Sequence, residues 1–155
     1  MKNLIRLISS FLLIGYSPYA PGTVGSLAGL GLYWILSHHY SSGLYFLILG
    51  LLFIVGILIG KKAEEVFGKK DCRKFVLDEV FGILIALTMV PFRPFYIITG
   101  FILFRIFDIL KPFPAKMAEK LPHGWGVMLD DAVAGIYTNL ILQIVVLGNK
   151  FLHTG

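Results

Sequence analysis

Five carboxylates stand where a strongly apolar chain is least able to accommodate charge. Asp78 and Glu79 open one hydrophobic stretch, Asp108 lies near the end of another, and Asp130 with Asp131 opens a third. An ionised carboxylate in or beside hydrocarbon is costly unless it is paired, hydrated or metal-bound, so such residues are functional candidates. Clustered carboxylate oxygens suit a hard divalent cation, whereas Arg105 and Lys111 suit an anion such as phosphate. Together they indicate a metal-dependent site for a phosphorylated, membrane-borne substrate. Asp78, Glu79, Asp130 and Asp131 are its candidate metal ligands.

Each constellation also has a plainer role. An acid at a helix start caps free backbone N–H groups and favours the dipole. One acid suffices for that, and two adjacent acids repel unless a cation lies between them. In FRIFDILKP, Arg105, Asp108 and Lys111 follow at i, i+3 and i+6, a stripe along one helix side. That stripe is either an ion-pair ladder with Lys111 snorkelling to the headgroups, or a device in which Asp108 binds metal or orients Arg105. In the second case Arg105 and Lys111 reach a phosphate, and Pro112 and Pro114 stop the helix beside it. SPYAPGTVGS reads as a Pro-bounded turn leading into a helix, with Thr23 and Ser26 either capping it or binding an anion at its N-terminus. Gly135, one turn after Asp131, marks close approach by a helix carrying the other acids. His123 is expected to be structural, Cys72 a free thiol, and His38, His39 and His153 to lie away from the acids. Glu64 and Glu65 are expected on a solvated loop, paired with Lys61, Lys62 and Lys69.

The elements that must position these residues follow from composition. Hydrophobic residues make up 57% of the 155 and charged residues 15%, with mean hydropathy +0.81. A soluble domain carries about 25% charged residues, so the expected fold is all-α, a small polytopic integral membrane helical bundle forming a single domain over residues 1–155. Apolar stretches run Val24–Ser37, Leu44–Gly60, Phe75–Val90, Phe95–Leu110 and Asp131–Gly148, several too short for a perpendicular crossing. Short or tilted helices are therefore expected. The run Leu7–Ile14 follows Lys2 and Arg6 but meets Pro21 directly after Ala20, a poor cleavage site, and reads as a retained interfacial helix.

Basic residues concentrate between spans. Lys61, Lys62, Lys69, Lys70, Arg73 and Lys74 occupy one loop and Lys111, Lys116 and Lys120 another, while the opposite loops offer Arg93 alone. The positive-inside rule puts the N-terminus and both basic loops in the cytoplasm, and with them every acidic constellation. The net charge of +5 suits anionic headgroups or phosphate, and its placement between spans argues against nucleic acid. The competing function is a small cation transporter or channel with an acidic ion-binding cluster. Acids spread through the depth of the spans would favour that reading, whereas these gather at one face beside Arg105.

Four blocks in order, SPYAPGTVGSL, LDEVFG, FRIFDILKPFP and GWGVMLDDAVAG, resemble the signature of bacterial phosphatidylglycerophosphatase A and span Ser17 to Gly135. His123 departs from the glycine common at that point of the pattern. The resemblance implies a Mg²⁺-dependent inner-membrane enzyme that removes the terminal phosphate of phosphatidylglycerophosphate, with its site facing the cytoplasm. It carries over to Thr23, Ser26, Asp78, Glu79, Arg105, Asp108, Lys111, Asp130 and Asp131. Motifs of haloacid-dehalogenase, type 2 lipid phosphatase and CDP-alcohol phosphotransferase enzymes are absent. The expected chemistry is metal-assisted hydrolysis, with an aspartyl-phosphate intermediate as the alternative. Asp78 or Asp131 would take the proton of water, Arg105 and Lys111 would stabilise the phosphoryl oxygens, and Asp108 would complete the catalytic group.

Overall fold

The stretch LDEVFGILIAL is apolar almost all round, and a helix of that kind is stable only when other helices surround it. In a computed structural model that describes residues 2–69 and 72–154, it forms a short helix with nine of its 11 residues buried. Lys70, and the side chains of His39 and His153, lie outside the described residues.

Among those residues the elements are α1 (Lys2–Ser9), a 3₁₀ turn (Ile14–Tyr16), α2 (Pro21–His39), α3 (Ser42–Phe67), α4 (Leu77–Leu87), α5 (Pro94–Leu110), α6 (Ala115–Ala118) and α7 (Gly124–Thr154). The fold is all-α. Helix α4 is the hub, packed by α2, α3, α5 and α7. Two glycines permit this: a side chain at Gly29 of α2 would collide with Ile83, and one at Gly135 of α7 would run into the Gly82 carbonyl. Gly135 thus brings the last helix against the helix that carries Asp78 and Glu79, as its spacing from Asp131 suggests.

The periphery is apolar. Leu47, Leu51, Ile54 and Leu58 on α3, Ile98, Ile102 and Ile109 on α5, and Ile136, Leu140, Ile144 and Leu147 on α7 are exposed at helical spacing. Patches of that extent in a monomer mark a surface covered by something other than water. Helices α3 and α7 are long and apolar enough to cross a membrane. The architecture is a small polytopic membrane bundle with shorter helices between those two.

Three boundaries differ from the sequence reading. Helix α3 continues through KKAEEVF, because Lys, Ala and Glu are good helix formers, and stops at Gly68 in the left-handed region (φ 71°). Helix α7 begins at Gly124, so Asp130 and Asp131 lie well inside it and cannot be capping residues. The glycines there serve packing: a side chain at Gly124 would run into the Gly56 and Ile57 carbonyls of α3. Helix α4 is also shorter than the expected 75–90 stretch, at about 16 Å by its rise per residue.

A helix ending within an apolar bundle leaves carbonyls that water cannot reach. Side chains from two other helices satisfy them. The Tyr45 hydroxyl donates to the Leu84 carbonyl (2.6 Å), Asn139 Nδ2 to those of Ala86 (3.0 Å) and Thr88 (2.8 Å), and Gln143 Nε2 to Thr88 (3.1 Å). Just beyond, the Tyr33 hydroxyl donates to Val90 (2.8 Å). These contacts fix how deep α4 sits, and therefore where its acidic first turn emerges. Replacing Asn139 and Gln143 together by Leu should lower stability by about 1–3 kcal/mol per orphaned carbonyl. Thermal unfolding of the detergent-purified protein checks this, and an unchanged midpoint would mean that the contacts do not anchor the helix.

Candidate functional site

The first turn of α4 opens into a cleft of about 500 Å³ at one end of the bundle, within the range of small-molecule sites. All four sequence blocks reach it. Its walls include Pro18, Ala20, Pro21, Gly22 and Thr23 from the turn into α2, Asp78 and Glu79 from α4, Arg105, Asp108 and Lys111 from the end of α5, and Asp130 and Asp131 from α7. Gly22 makes the junction possible. A Cβ there would overlap Glu79 Oε1 and come within 3.3 Å of Arg105 Nη1, so glycine lets the start of α2 close over these two groups without displacing either side chain.

Two of the five acids are neutralised within the protein. Arg105 Nη1 lies 2.6 Å from Asp108 Oδ2. The same nitrogen donates to Ser26 Oγ (3.4 Å), whose hydroxyl in turn donates to the Gly22 carbonyl (3.0 Å). Lys111 Nζ lies 2.5 Å from Asp130 Oδ2 and 3.3 Å from Glu119 Oε1. Half-burial opposes the Lys111 charge. The hydrogen bonds and charges of Asp130 and Glu119 outweigh it and hold its pKa above the ordinary lysine value.

The other three acids are left facing one another. Asp78, Glu79 and Asp131 each offer an oxygen within 4.8 Å of the others. At that separation two unit charges repel by about 3–4 kcal/mol at an effective dielectric of about 20. Asp78 and Asp131 are only 7% and 3% exposed, so water does little to relieve the repulsion. Asp78 Oδ1 accepts the Glu79 backbone N–H at 3.0 Å. Glu79 Oε2 and Asp131 Oδ2 are buried without a hydrogen-bond partner among the described residues. An all-oxygen, triply acidic set with two orphaned oxygens fits a hard divalent cation such as Mg²⁺.

The placement refines the sequence reading residue by residue. Asp130 was expected beside Asp131 as a metal ligand; its carboxylate is turned to Lys111, while Asp131 faces Asp78 and Glu79. Ser26 was expected to touch phosphate. It is fully buried behind Arg105, which it helps to hold, while Thr23 lines the cleft. Asp108 orients Arg105 and lies outside the acidic triad. Glu64 does not pair with the lysines: it accepts from His123 Nδ1 at 2.8 Å, tying the end of α3 to the start of α7. Lys69, Cys72 and Arg73 also line the cleft. In the sequence these cations signal topology only, because nothing in their spacing links them to acids on other helices. Gly22 was likewise visible only as part of a turn.

A family model described as Phosphatidylglycerophosphatase A matches residues 7–146. A phosphatidylglycerophosphatase A of Haemophilus influenzae is 37% identical over 144 residues, covering 92% of this chain and 88% of the relative. One of Escherichia coli is 33% identical over 147 residues, covering 94% and 85%. A Bacteroides thetaiotaomicron protein with the provisional name phosphatidylinositol-3-phosphatase is 36% identical over 137 residues, covering 84% and 86%. No solved structure matches the chain significantly.

The charge partition makes two neighbouring substitutions differ in sign. In chelator, Asp131→Asn should stabilise the protein by about 1–3 kcal/mol, because it removes a charge from an uncompensated cluster. Asp130→Asn should destabilise it by about 1–3 kcal/mol, because it strips Lys111 of its nearest partner. Unfolding midpoints in excess EDTA test the pair, and destabilisation by both would contradict the partition.

Proposed function

The chain belongs to the phosphatidylglycerophosphatase A family and is a phosphatase acting on phosphate monoesters, and we propose that it hydrolyses phosphatidylglycerophosphate with Mg²⁺ as cofactor. The observation that carries the cofactor is the triad of Asp78, Glu79 and Asp131 in one cleft with Arg105 and Lys111. A cation pathway would need acids along its depth, whereas here they converge at one end beside two basic groups.

Held by the three carboxylates, Mg²⁺ would offset their repulsion and draw charge from the phosphoryl group. Arg105, oriented by Asp108 and Ser26, supplies a preorganised donor to the phosphoryl oxygens, where charge grows in the transition state. Lys111 stays protonated, and Asp130 and Glu119 hold it at the cleft wall. Asp78 or Asp131 accepts the proton of the attacking water as the new O–P bond forms and the bond to the glycerol oxygen breaks. That oxygen leaves as an alcohol, taking a proton from solvent in the open cleft. Fixing the phosphorylated end against these groups supplies much of the acceleration through positioning alone.

The site is assigned to the cytoplasmic face of the bacterial inner membrane. Lys69, Arg73, Lys74 and Lys120 lie in the connections at the cleft end, Lys61 and Lys62 in the last turns of α3 and Lys116 in α6, with Arg93 in the opposite connection. The two lipid names carried by relatives share one chemistry, a phosphomonoester on a headgroup that is itself joined to the lipid by a phosphodiester.

Purified protein should release phosphate from phosphatidylglycerophosphate in Mg²⁺ and stop in excess EDTA. Glu79→Gln and Asp131→Asn should lower turnover on the order of a thousandfold, the scale of losing a metal ligand. Glu65→Gln, outside the cleft, should leave it near normal. Full turnover in EDTA would remove the metal, and a triad variant within about tenfold of wild type would remove that residue.

A further inference from the structure

Two cations in the cleft are not engaged by its acids. Arg105 and Lys111 are paired to Asp108 and Asp130, and Lys74 lies over the Tyr16 ring at 4.7 Å. Lys69 and Arg73 line the same cleft and have neither a hydrogen bond nor an ion pair among the described residues. Both are exposed, whereas Asp78 and Asp131 are buried. Among the described residues the cleft therefore has an acidic floor and a positive rim that are not paired with one another.

The Arg73 side of the rim is held in place by the backbone that follows it. After Arg73 the chain is pinned by the Phe75 N–H to the Cys72 carbonyl (2.7 Å) and by the Val76 N–H to the Ser9 carbonyl of α1 (3.0 Å). This segment joins α3, a helix long and apolar enough to cross a membrane, to the acidic first turn of α4. Attraction of the membrane surface in general needs no cleft, and Lys61 and Lys62, exposed on α3 and absent from the cleft lining, already supply it.

We infer that Lys69 and Arg73 form a second anion subsite, which takes the phosphodiester of the lipid while its monoester phosphate lies at the acidic floor. This rests on the phosphatase reading above and extends it to specificity. The rim selects headgroups with two phosphates over those with a monoester alone. Lys69 and Arg73 bind the group that is not cleaved, so they contribute to substrate affinity and leave the chemical step to the floor.

The test uses the full-length enzyme in mixed micelles with phosphatidylglycerophosphate. Inhibition by inorganic phosphate, the product, reports the floor alone. In Lys69→Ala/Arg73→Ala, KM should rise about tenfold or more, the scale of losing charge-assisted contacts at a partly exposed site. Turnover at saturation and the inhibition constant for phosphate should stay within about twofold, as for uniform binding lost without transition-state loss. Lys61→Ala/Lys62→Ala should leave KM near wild type. An unchanged KM in the rim variant would overturn the subsite. So would a KM and a phosphate constant that rise together, or an equal rise in the Lys61/Lys62 variant, since each assigns the effect to general electrostatics. Wild-type enzyme that releases no phosphate would refute the function itself, a separate outcome.

Discussion

Mutual repulsion among Asp78, Glu79 and Asp131 is the constraint to which the rest of the bundle answers. Three carboxylates within 4.8 Å, mostly out of water, would move apart unless the backbones carrying them were fixed. The most tightly enclosed helix, α4, carries two of them, and α7 carries the third across the Gly135 contact. The far end of α4 is held by Tyr45, Asn139 and Gln143, so its acidic turn cannot withdraw from the cleft without breaking hydrogen bonds on the opposite side. Stability in the hub is thus spent on keeping an unfavourable charge cluster assembled.

The remaining acids of the cleft are paired beside that cluster. Asp108 and Asp130 pair with Arg105 and Lys111. Both cations nevertheless stay in the cleft with their forks or ammonium groups oriented, which lowers the ordering cost when an anion arrives. The five acids of the cleft therefore divide into two kinds, three that face one another and two that are paired with basic groups.

Much of this was legible in the sequence because the signals were local. Charge in an apolar chain marked Asp78, Glu79, Asp108 and Asp131, and helix spacing joined Arg105 to Asp108. The fold class followed from hydropathy. What stayed hidden depends on tertiary direction. Adjacency grouped Asp130 with Asp131, yet a helix turns them toward different partners. Ser26 reads as a cap until Arg105 is seen packed against it. Asn139 and Gln143 look like ordinary polar residues on a long helix, because the carbonyls they satisfy lie more than 50 residues away in sequence. Gly22 matters only once Glu79 and Arg105 occupy the space its side chain would take.

The central claim is that the triad alone assembles a hard-cation site, before any substrate binds. Electron paramagnetic resonance of Mn²⁺ titrated into the purified, chelator-treated protein measures this directly, with Mn²⁺ standing in for Mg²⁺. The account predicts saturable binding that Mg²⁺ displaces, that survives Asp130→Asn and that is lost in Asp78→Asn/Glu79→Gln/Asp131→Asn. Equal binding by wild type and the triple variant, or no saturable binding by wild type, would contradict it.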